Sequence, residues 1–372
     1  MLGDDLGMPQ PSYALGRLVA NENSLSDLLT VLAERDPRPL IELLGLADDA
    51  YRFRREVKLT KPSGCLDVVV YRQSDGFPVA VLEMKGASDE HSGQLDRYQD
   101  WAVAHNPVPT LFFCTFDGDA ATAPWKSLRL VTIFGAWEGV ADPYAAWLAS
   151  EITSVLRSWD AEADGVIGDA IGWYVPDVVS RRTARTLDDA LRLGHPGSGW
   201  AGAMRTSGGN PMLMAGRRHP SGAEHAWVAV DIRCPGRGAQ GQPWLFRPCV
   251  DIAQGDRPKL EAVLEAHDLA VELQPAMLLP SIQESLRQRD RPDLAAALGA
   301  GKHDGLRSSG ALADWRDRLE SGMSTPRHHP VFFHDKGQRL ATQFRLNVRT
   351  TTRADVADLT LAVLDHLVDS AR

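Results

Sequence analysis

The clearest pattern of hydrophobic and polar positions lies in the first 159 residues of the chain. Leucines between Leu25 and Leu32 recur at helical spacing behind Ser24 and Asp27, which resemble a capping box, and this helix ends before Pro37. The pattern then predicts strands over 51–59, 65–71 and 78–85, a helix over 89–105, strands over 108–116 and 128–134, and a helix over 143–159. The order α-β-β-β-α-β-β-α indicates an α/β domain.

A short acidic break after Trp159 predicts a domain boundary, which gives domains of residues 1–159 and 160–372. In the second part, residues 195–222 are rich in Gly and Pro and are expected to form loops. Strands are predicted over 226–233, 244–252 and 340–348. Thr352 and Asp355 cap a final helix, so this part is predicted to be an α+β domain.

Composition argues against a zinc-binding, secreted or membrane-spanning protein. Forty Lys and Arg residues against forty-nine Asp and Glu residues give a net charge of −9 over 372 residues, and the four cysteines are scattered without zinc-site spacing. The acidic start and the lack of a long apolar stretch indicate neither a secretory signal nor a membrane span. We therefore expect a cytoplasmic protein without membrane attachment.

The candidate chemistry lies in the hairpin formed by the second and third strands. If the hairpin is symmetric about Asp75, Asp67 and Glu83 face each other across the two strands, where like charges are unfavourable unless a cation offsets them. Lys85 lies two residues beyond Glu83 and therefore on the same face. Two carboxylates with an adjacent ammonium group suit Mg²⁺ and phosphodiester hydrolysis. The alternative is a surface hairpin with a weak Glu83–Lys85 ion pair.

These residues resemble the motif of the PD-(D/E)XK nuclease superfamily, an Asp followed by a hairpin and Glu-x-Lys at the end of an apolar strand. Gln94 and Tyr98 match the Gln-x-x-x-Tyr helix of many members, whereas Leu66 replaces the Pro that gives the family its name. The resemblance covers about residues 22–159. It implies a restriction-endonuclease-like fold, a mixed sheet flanked by helices.

The resemblance also implies a role for each matching residue. Asp67 and Glu83 become ligands of Mg²⁺, with Mn²⁺ as a substitute, and Lys85 becomes the catalytic lysine. Gln94 is expected near the metal or the substrate phosphate, or else is an exposed residue at the start of a helix. Glu22 resembles an acidic residue that several members contribute from the first helix, and Glu56 competes with it for this role.

The second domain carries an excess of arginine. From Val178 to Leu260 there are twelve basic and six acidic residues, with several tryptophans among them. Such a segment predicts contacts to a nucleic-acid backbone, through Arg181, Arg182, Arg217 and Arg218 in particular. The alternative is a protein interface, with a protein partner or a second copy of the chain.

Two further motifs are interpreted as chance patterns without a functional role. Gly197, Gly199 and Gly202 form a Gly-x-Gly-x-x-Gly pattern without the preceding strand that a dinucleotide site needs. The histidines at 328, 329 and 334 are expected at the surface.

The sequence therefore predicts a metal-dependent nuclease that acts on DNA. Restriction or anti-phage defence is the setting common among members of the family that it resembles. The alternatives are an RNA nuclease and an inactive nuclease fold that binds nucleic acid or protein.

Overall fold

The structure is a computed structural model, and contacts divide the chain into two compact units. They are Met1–Ala161 with Gly172–Val178, and Glu162–Ile171 with Val179–Arg372. The structure describes residues 13–59, 64–86, 93–119, 122–167, 175–235, 243–253, 255–303, 309–321, 329, 331–335 and 338–372.

The first unit is built from helices around one sheet. Its helices are α1 (Tyr13–Val19), α2 (Glu22–Arg35), α3 (Arg38–Leu44), α4 (Gln94–Val103), α5 (Leu130–Gly135) and α6 (Pro143–Asp164), which runs past the unit boundary. Its strands are β1 (Tyr51–Leu59), β2 (Gly64–Arg72), β3 (Pro78–Gly86), β4 (Thr110–Thr115) and β5 (Lys126–Arg129).

The sheet of the first unit is mixed. Its strands follow the order β1-β2-β3-β4-β5, with antiparallel pairing from β1 to β3 and parallel pairing from β3 to β5. Strand β3 is the middle strand, and every side chain described from Pro78 to Lys85, except that of Val79, is buried. One cluster of the core packs Val69, Val81 and Phe113 against Leu95 and Tyr98 of α4. The middle of the sheet therefore has the rigid surroundings that a site requires.

Several predicted elements of the first unit are confirmed and two are wrong in detail. Strands β1, β2 and β3 agree with the prediction, but residues 128–134 do not form a strand, because β5 ends at Arg129 and α5 begins at Leu130. A short apolar run cannot by its periodicity distinguish a strand from a buried helix. The cap of α2 is Asn21, whose side chain accepts a hydrogen bond from the Ser24 N–H, and is not Ser24. Part of the helix predicted from residue 89, over 89–92, lies outside the described residues.

The second unit combines an antiparallel sheet with helices. Its strands are β6 (Gly199–Arg205), β7 (Pro211–Arg218), β8 (Ala226–Arg233), β9 (Trp244–Ile252), β10 (Leu298–His303), β11 (Phe333–Asp335), β12 (Arg339–Ala341) and β13 (Gln343–Leu346). The main strand order is β10-β13-β9-β8-β7-β6, and β12 pairs with both β9 and β11. The helices are α7 (Val175–Gly194, which begins in the first unit), α8 (Lys259–Leu273), α9 (Leu279–Gln288), α10 (Pro292–Ala297), α11 (Ser309–Glu320) and α12 (Arg353–Ser370). The chain as a whole is thus mixed α/β, with one mixed and one antiparallel sheet.

The prediction of a loop-rich segment over 195–222 is wrong over Gly199–Arg205 and Pro211–Arg218, which form the hairpin of β6 and β7. Gly199 serves close packing, because a Cβ atom there would lie 2.9 Å from Cβ of Leu191. The strand predicted over 340–348 is divided into β12 and β13 at Thr342, whose hydroxyl donates to the Met277 carbonyl. The capping box of Thr352 and Asp355 at the start of α12 is confirmed.

Candidate active site

The pairing of β2 with β3 sets the positions of the two candidate carboxylates. Val68 pairs with Leu82, and Val70 with Ala80, which is the predicted register centred on residue 75. Beyond the Val68–Leu82 pair, the Met84 N–H of β3 donates a hydrogen bond of 2.7 Å to Oδ2 of Asp67 and not to a backbone carbonyl of β2. Asp67 is therefore tied to the strand that carries Glu83.

Lys85 and Glu83 form a buried ion pair on one face of β3. Nζ of Lys85 lies 3.0 Å from Oε1 of Glu83, and their side chains are 5% and 0% exposed. Met84 between them is fully buried, as the strand alternation predicts. The interpretation of this hairpin as a surface ion pair is thus wrong, because both charges lie inside the protein.

Helix α4 supplies the next contact. Nε2 of Gln94 donates to Oε1 of Glu83 at 2.7 Å and to the hydroxyl oxygen of Tyr98 at 2.9 Å. The Tyr98 hydroxyl in turn donates to the Cys65 carbonyl of β2 at 2.7 Å. Gln94 is buried, so its interpretation as an exposed residue at a helix start is wrong. The chain of hydrogen bonds holds Gln94, and through it one oxygen of Glu83, against the sheet.

The burial of the two carboxylates changes their acidity. Burial raises the pKa of Glu83 to about 8, and the negative charge of Asp67 adds to this effect while Lys85 opposes it. Burial likewise raises the pKa of Asp67 to about 6, against the hydrogen bond from the Met84 N–H and the charge of Lys85. The pair is thus difficult to ionise completely without a further positive charge.

Glu83 has one oxygen that its neighbours leave unsatisfied. Oε2 is buried and has no hydrogen-bond partner among the described residues, whereas Oε1 contacts both Lys85 and Gln94. A buried carboxylate oxygen beside Asp67 is the kind of hard ligand that Mg²⁺ uses. Within the described ranges, His, Cys, Asp and Glu side chains form no ready-made group of three for a metal. The donors thus fit a cation held by two carboxylates and water.

Glu22 and Glu56, the competing acidic residues, occupy different surroundings. Glu22 is the first residue of α2, and its Oε2 lies 3.9 Å from Nζ of Lys85. Glu56 is exposed, has φ of 47°, and its Oε1 lies 3.7 Å from Nη2 of Arg55. Of the two, Glu22 is the one that the fold brings to Lys85.

Arg55 is a residue of the site that the sequence analysis overlooked. It lies on β1 with a side chain only 22% exposed, pairs with Asp27, and donates to the Asn23 carbonyl at 3.0 Å. Its charge also opposes the rise in the pKa of Asp67. The signal was available, since strand alternation places Arg55 on the same face as the apolar residues Phe53 and Val57.

The four arginines proposed to contact nucleic acid are engaged within the second unit. Arg181 is 8% exposed, and Arg182 pairs with Asp164 at 2.9 Å. Arg217 pairs with Asp365 at 2.7 Å, and Arg218 donates to the Glu224 carbonyl and lies over the Trp227 ring. Of the four, Arg218 alone is exposed. Contacts of these residues to a phosphate backbone stay a prediction.

Two smaller expectations have different outcomes. Gly199 and Gly202 lie on strand β6, which agrees with the rejection of a dinucleotide loop. His329 is 4% exposed, and its Nδ1 accepts hydrogen bonds from the backbone N–H groups of Val331 and Phe332, so its predicted surface position is wrong. His328 lies outside the described residues.

The chain matches no protein-family model, no curated protein and no solved structure. In the part of the chain that the structure describes, no helix has both the length and the apolar character needed to cross a bilayer.

Proposed function

We propose that the first unit is a Mg²⁺-dependent nuclease of the PD-(D/E)XK type that hydrolyses phosphodiester bonds of DNA. The observation that carries the proposal is the buried Oε2 of Glu83, which has no partner among the described residues and lies in a site with Asp67 and Lys85. Burying a carboxylate is costly, and the cost rises when a second carboxylate is near. A divalent cation removes this cost.

Each residue of the site has a separate task in this proposal. Asp67 and Glu83 hold the cation, which when bound supplies Lewis acidity toward the phosphoryl oxygens. The ammonium of Lys85 orients the attacking water and stabilises the negative charge that develops on the phosphate. Gln94 keeps Oε1 of Glu83 occupied, which leaves Oε2 as the oxygen that would hold a cation.

The arrangement of the sheet supports the same fold. Strand β3 carries Glu83 and Lys85 in the middle of a mixed sheet, with antiparallel β2 on one edge and parallel β4 on the other. Helices α2 and α4 both contribute side chains to the site. We infer from this arrangement a restriction-endonuclease-like core.

One observation favours a second candidate, an inactive nuclease fold that binds nucleic acid or protein. Lys85 pairs with Oε1 of Glu83, and Gln94 donates a hydrogen bond to the same oxygen, so protein groups alone compensate part of its charge. A polar cluster of this kind can also serve stability alone. The two candidates differ in whether divalent metal binds at Glu83.

Cleavage assays on the purified full chain test the proposal. Plasmid, linear duplex DNA, single-stranded DNA and RNA are incubated with Mg²⁺, with Mn²⁺ or with chelator. We expect metal-dependent cleavage of DNA that Glu83→Gln abolishes. Glu56→Gln is the matched control, because Glu56 is an exposed glutamate on β1, and it should retain activity.

The assay also separates the alternatives. If only RNA is cleaved, the proposed metal site stands and the proposed substrate changes from DNA to RNA. Absence of cleavage and of Mn²⁺ binding would overturn the nuclease in favour of the inactive fold. A role in restriction or anti-phage defence stays a prediction.

A further inference from the structure

The second unit contains a pocket of about 750 Å³ whose lining is strongly basic. It lies among β8, β9, β10, β13 and the turn that joins β6 to β7. Four cationic side chains line it, and among the described residues no carboxylate does; the four are Arg233, Arg247, Lys302 and Arg345. A pocket with this lining favours an anionic ligand.

Arg247 is the most buried of these groups. It is 5% exposed, its guanidinium lies 3.9 Å from the centroid of the Phe333 ring, and its Nε and Nη2 both donate to Oε1 of Gln343, at 3.0 and 2.7 Å. Burial lowers the pKa of Arg247 to about 10, so the group still carries its charge at neutral pH.

One nitrogen of this guanidinium is left without a hydrogen bond. Nη1 of Arg247 is buried and has no hydrogen-bond partner among the described residues, and the nearest carboxylate oxygen, Oδ2 of Asp231, is 4.0 Å away. A buried donor of this kind is unfavourable unless a ligand or a water satisfies it. The guanidinium is thus held in place with one of its buried donors unsatisfied.

The charges behind the pocket do not cancel those that line it. Asp231 is shared by Arg233 at 2.9 Å and Arg339 at 3.6 Å, and Asp251 also pairs with Arg339. Among the residues that the structure describes here, two carboxylates, Asp231 and Asp251, therefore face five cations: Arg233, Arg247, Arg339, Lys302 and Arg345. Lys302 and Arg345 are exposed, so their charges lie where an entering ligand meets them. The surplus of positive charge matches a ligand with several negative charges.

The rest of the lining indicates what else the ligand contains. Thr206, Ser207 and Asn210 offer hydroxyl and amide groups, whereas Pro235 and Leu245 offer apolar contact. Pockets for small organic ligands have volumes of roughly 300–1,000 Å³. The pocket therefore suits an organic molecule that carries phosphate groups, and its size exceeds what a lone inorganic ion requires.

We propose that this pocket is a binding site for a phosphorylated small molecule of nucleotide size, with Arg247, Lys302 and Arg345 as its phosphate contacts. The residues that line the pocket all belong to the second unit, and the proposal does not depend on the proposed function of the first unit. Arginine suits phosphate because its planar fork donates two parallel hydrogen bonds. The apolar and hydroxyl groups then contact the organic part.

Calorimetric titration of the full chain tests the proposal. The probes are ATP, inorganic pyrophosphate, adenosine and a 5′-phosphorylated single-stranded oligonucleotide, all in chelator so that metal-dependent cleavage does not contribute. We expect ATP to bind most tightly, pyrophosphate more weakly, and adenosine not at all. Lys302→Glu and Arg345→Glu should each weaken ATP binding by about tenfold or more.

Lys259→Glu is the matched control, since Lys259 is an exposed lysine at the start of α8 that does not line the pocket. It makes the same change in charge and should leave ATP affinity unchanged. Melting curves of the three variants confirm that the exposed substitutions leave the fold intact. The proposal is overturned if ATP does not bind, if Lys302→Glu and Arg345→Glu bind it normally, if adenosine binds as tightly, or if the oligonucleotide binds more tightly than ATP.

Discussion

Nζ of Lys85 lies 3.0 Å from Oε1 of Glu83, two residues earlier on the same strand, and neither side chain is more than 5% exposed. Removing one member of a buried ion pair leaves the other charge uncompensated and typically costs about 3–5 kcal/mol. Each of these residues therefore sets the charge state of the other. Substitutions at the site should change acidity and stability as well as cleavage.

Lys85→Met should abolish cleavage and leave Mn²⁺ binding intact. Lysine acts on the water and the phosphate in our proposal and is not a ligand, and its loss makes the surroundings of Glu83 more negative. Calorimetric titration with Mn²⁺ and a cleavage assay measure the two effects. Lys85→Arg should not restore cleavage, because a planar guanidinium does not replace a compact ammonium. Lys58→Met, at an exposed lysine of β1, is the control, and loss of Mn²⁺ binding in Lys85→Met would contradict the assignment.

Glu83→Gln should flatten the dependence of stability on pH. The pKa of Glu83 is raised on folding from 4.5 to about 8, so the group contributes stability that is complete below pH 4.5 and is lost as pH rises through 8. In chelator, the unfolding free energy of the wild type should fall over this window by up to about 1.4 kcal/mol per pH unit for this group. Denaturant titrations at several pH values measure the slope, and an equal slope in Glu83→Gln would refute the raised pKa.

Asp67→Asn and Asp67→Ala should differ in stability and agree in activity. Both lose the carboxylate that is proposed to hold the cation, so neither should cleave DNA. Asparagine retains an oxygen that accepts the Met84 N–H, whereas alanine leaves that donor unsatisfied, at a cost of about 1–3 kcal/mol. Thermal melting in chelator compares them, and equal melting temperatures would mean that the hydrogen bond contributes little.

Gly64→Ala should reduce cleavage more than it reduces stability. A Cβ atom at this position would lie 2.8 Å from Cε1 of Tyr98, so the ring has to move, and with it the Gln94 amide that contacts Glu83. A small displacement of a positioning group typically slows catalysis by roughly tenfold to a hundredfold. The cleavage rate and the melting temperature of this variant are compared with those of Gly299→Ala, where an added Cβ meets nothing within 4 Å. Normal cleavage by Gly64→Ala would exclude a positioning role for Tyr98.

If the second unit contacts a phosphate backbone through Arg218, Arg218→Glu should weaken DNA binding and make its dependence on salt less steep. Each lost phosphate contact changes the slope of log affinity against log salt by about 0.9 on duplex DNA. Fluorescence anisotropy of labelled DNA at several salt concentrations, in chelator, gives this slope. Arg287→Glu, at an exposed arginine on α9, is the control. Equal slopes for the wild type and both variants would remove Arg218 from the contacts.

The hairpin of β2 and β3 was predictable because several signals agreed there. Apolar runs of strand length flank a polar turn, and a register centred on Asp75 holds from the Val68–Leu82 pair to the Val70–Ala80 pair, before it shifts at Tyr71. The positions of Asp67, Glu83 and Lys85 could therefore be predicted by counting residues from the turn. The burial of Gln94 could not be predicted in this way, since it depends on how α4 packs, which is a tertiary property.

The errors arise where local patterns are ambiguous. Glycines at 199 and 216 suggested a loop, but they occupy strands where a Cβ atom would press on Leu191 or Trp200. The basic lining of the pocket in the second unit could not be predicted from the sequence either. Arg233 and Arg345 are far apart in the sequence, and only the strand order β13-β9-β8 explains how they line one pocket.

The position of β3 between β2 and β4 has a mechanical consequence. A strand that is hydrogen-bonded along both edges cannot slide by two residues without breaking both ladders, and such a slip is what would bring Lys85 into the place of Glu83. The carboxylate and the ammonium are therefore the stiff part of the site. Glu22, whose Oε2 lies 3.9 Å from Nζ of Lys85, approaches the pair from helix α2, which is not part of these ladders.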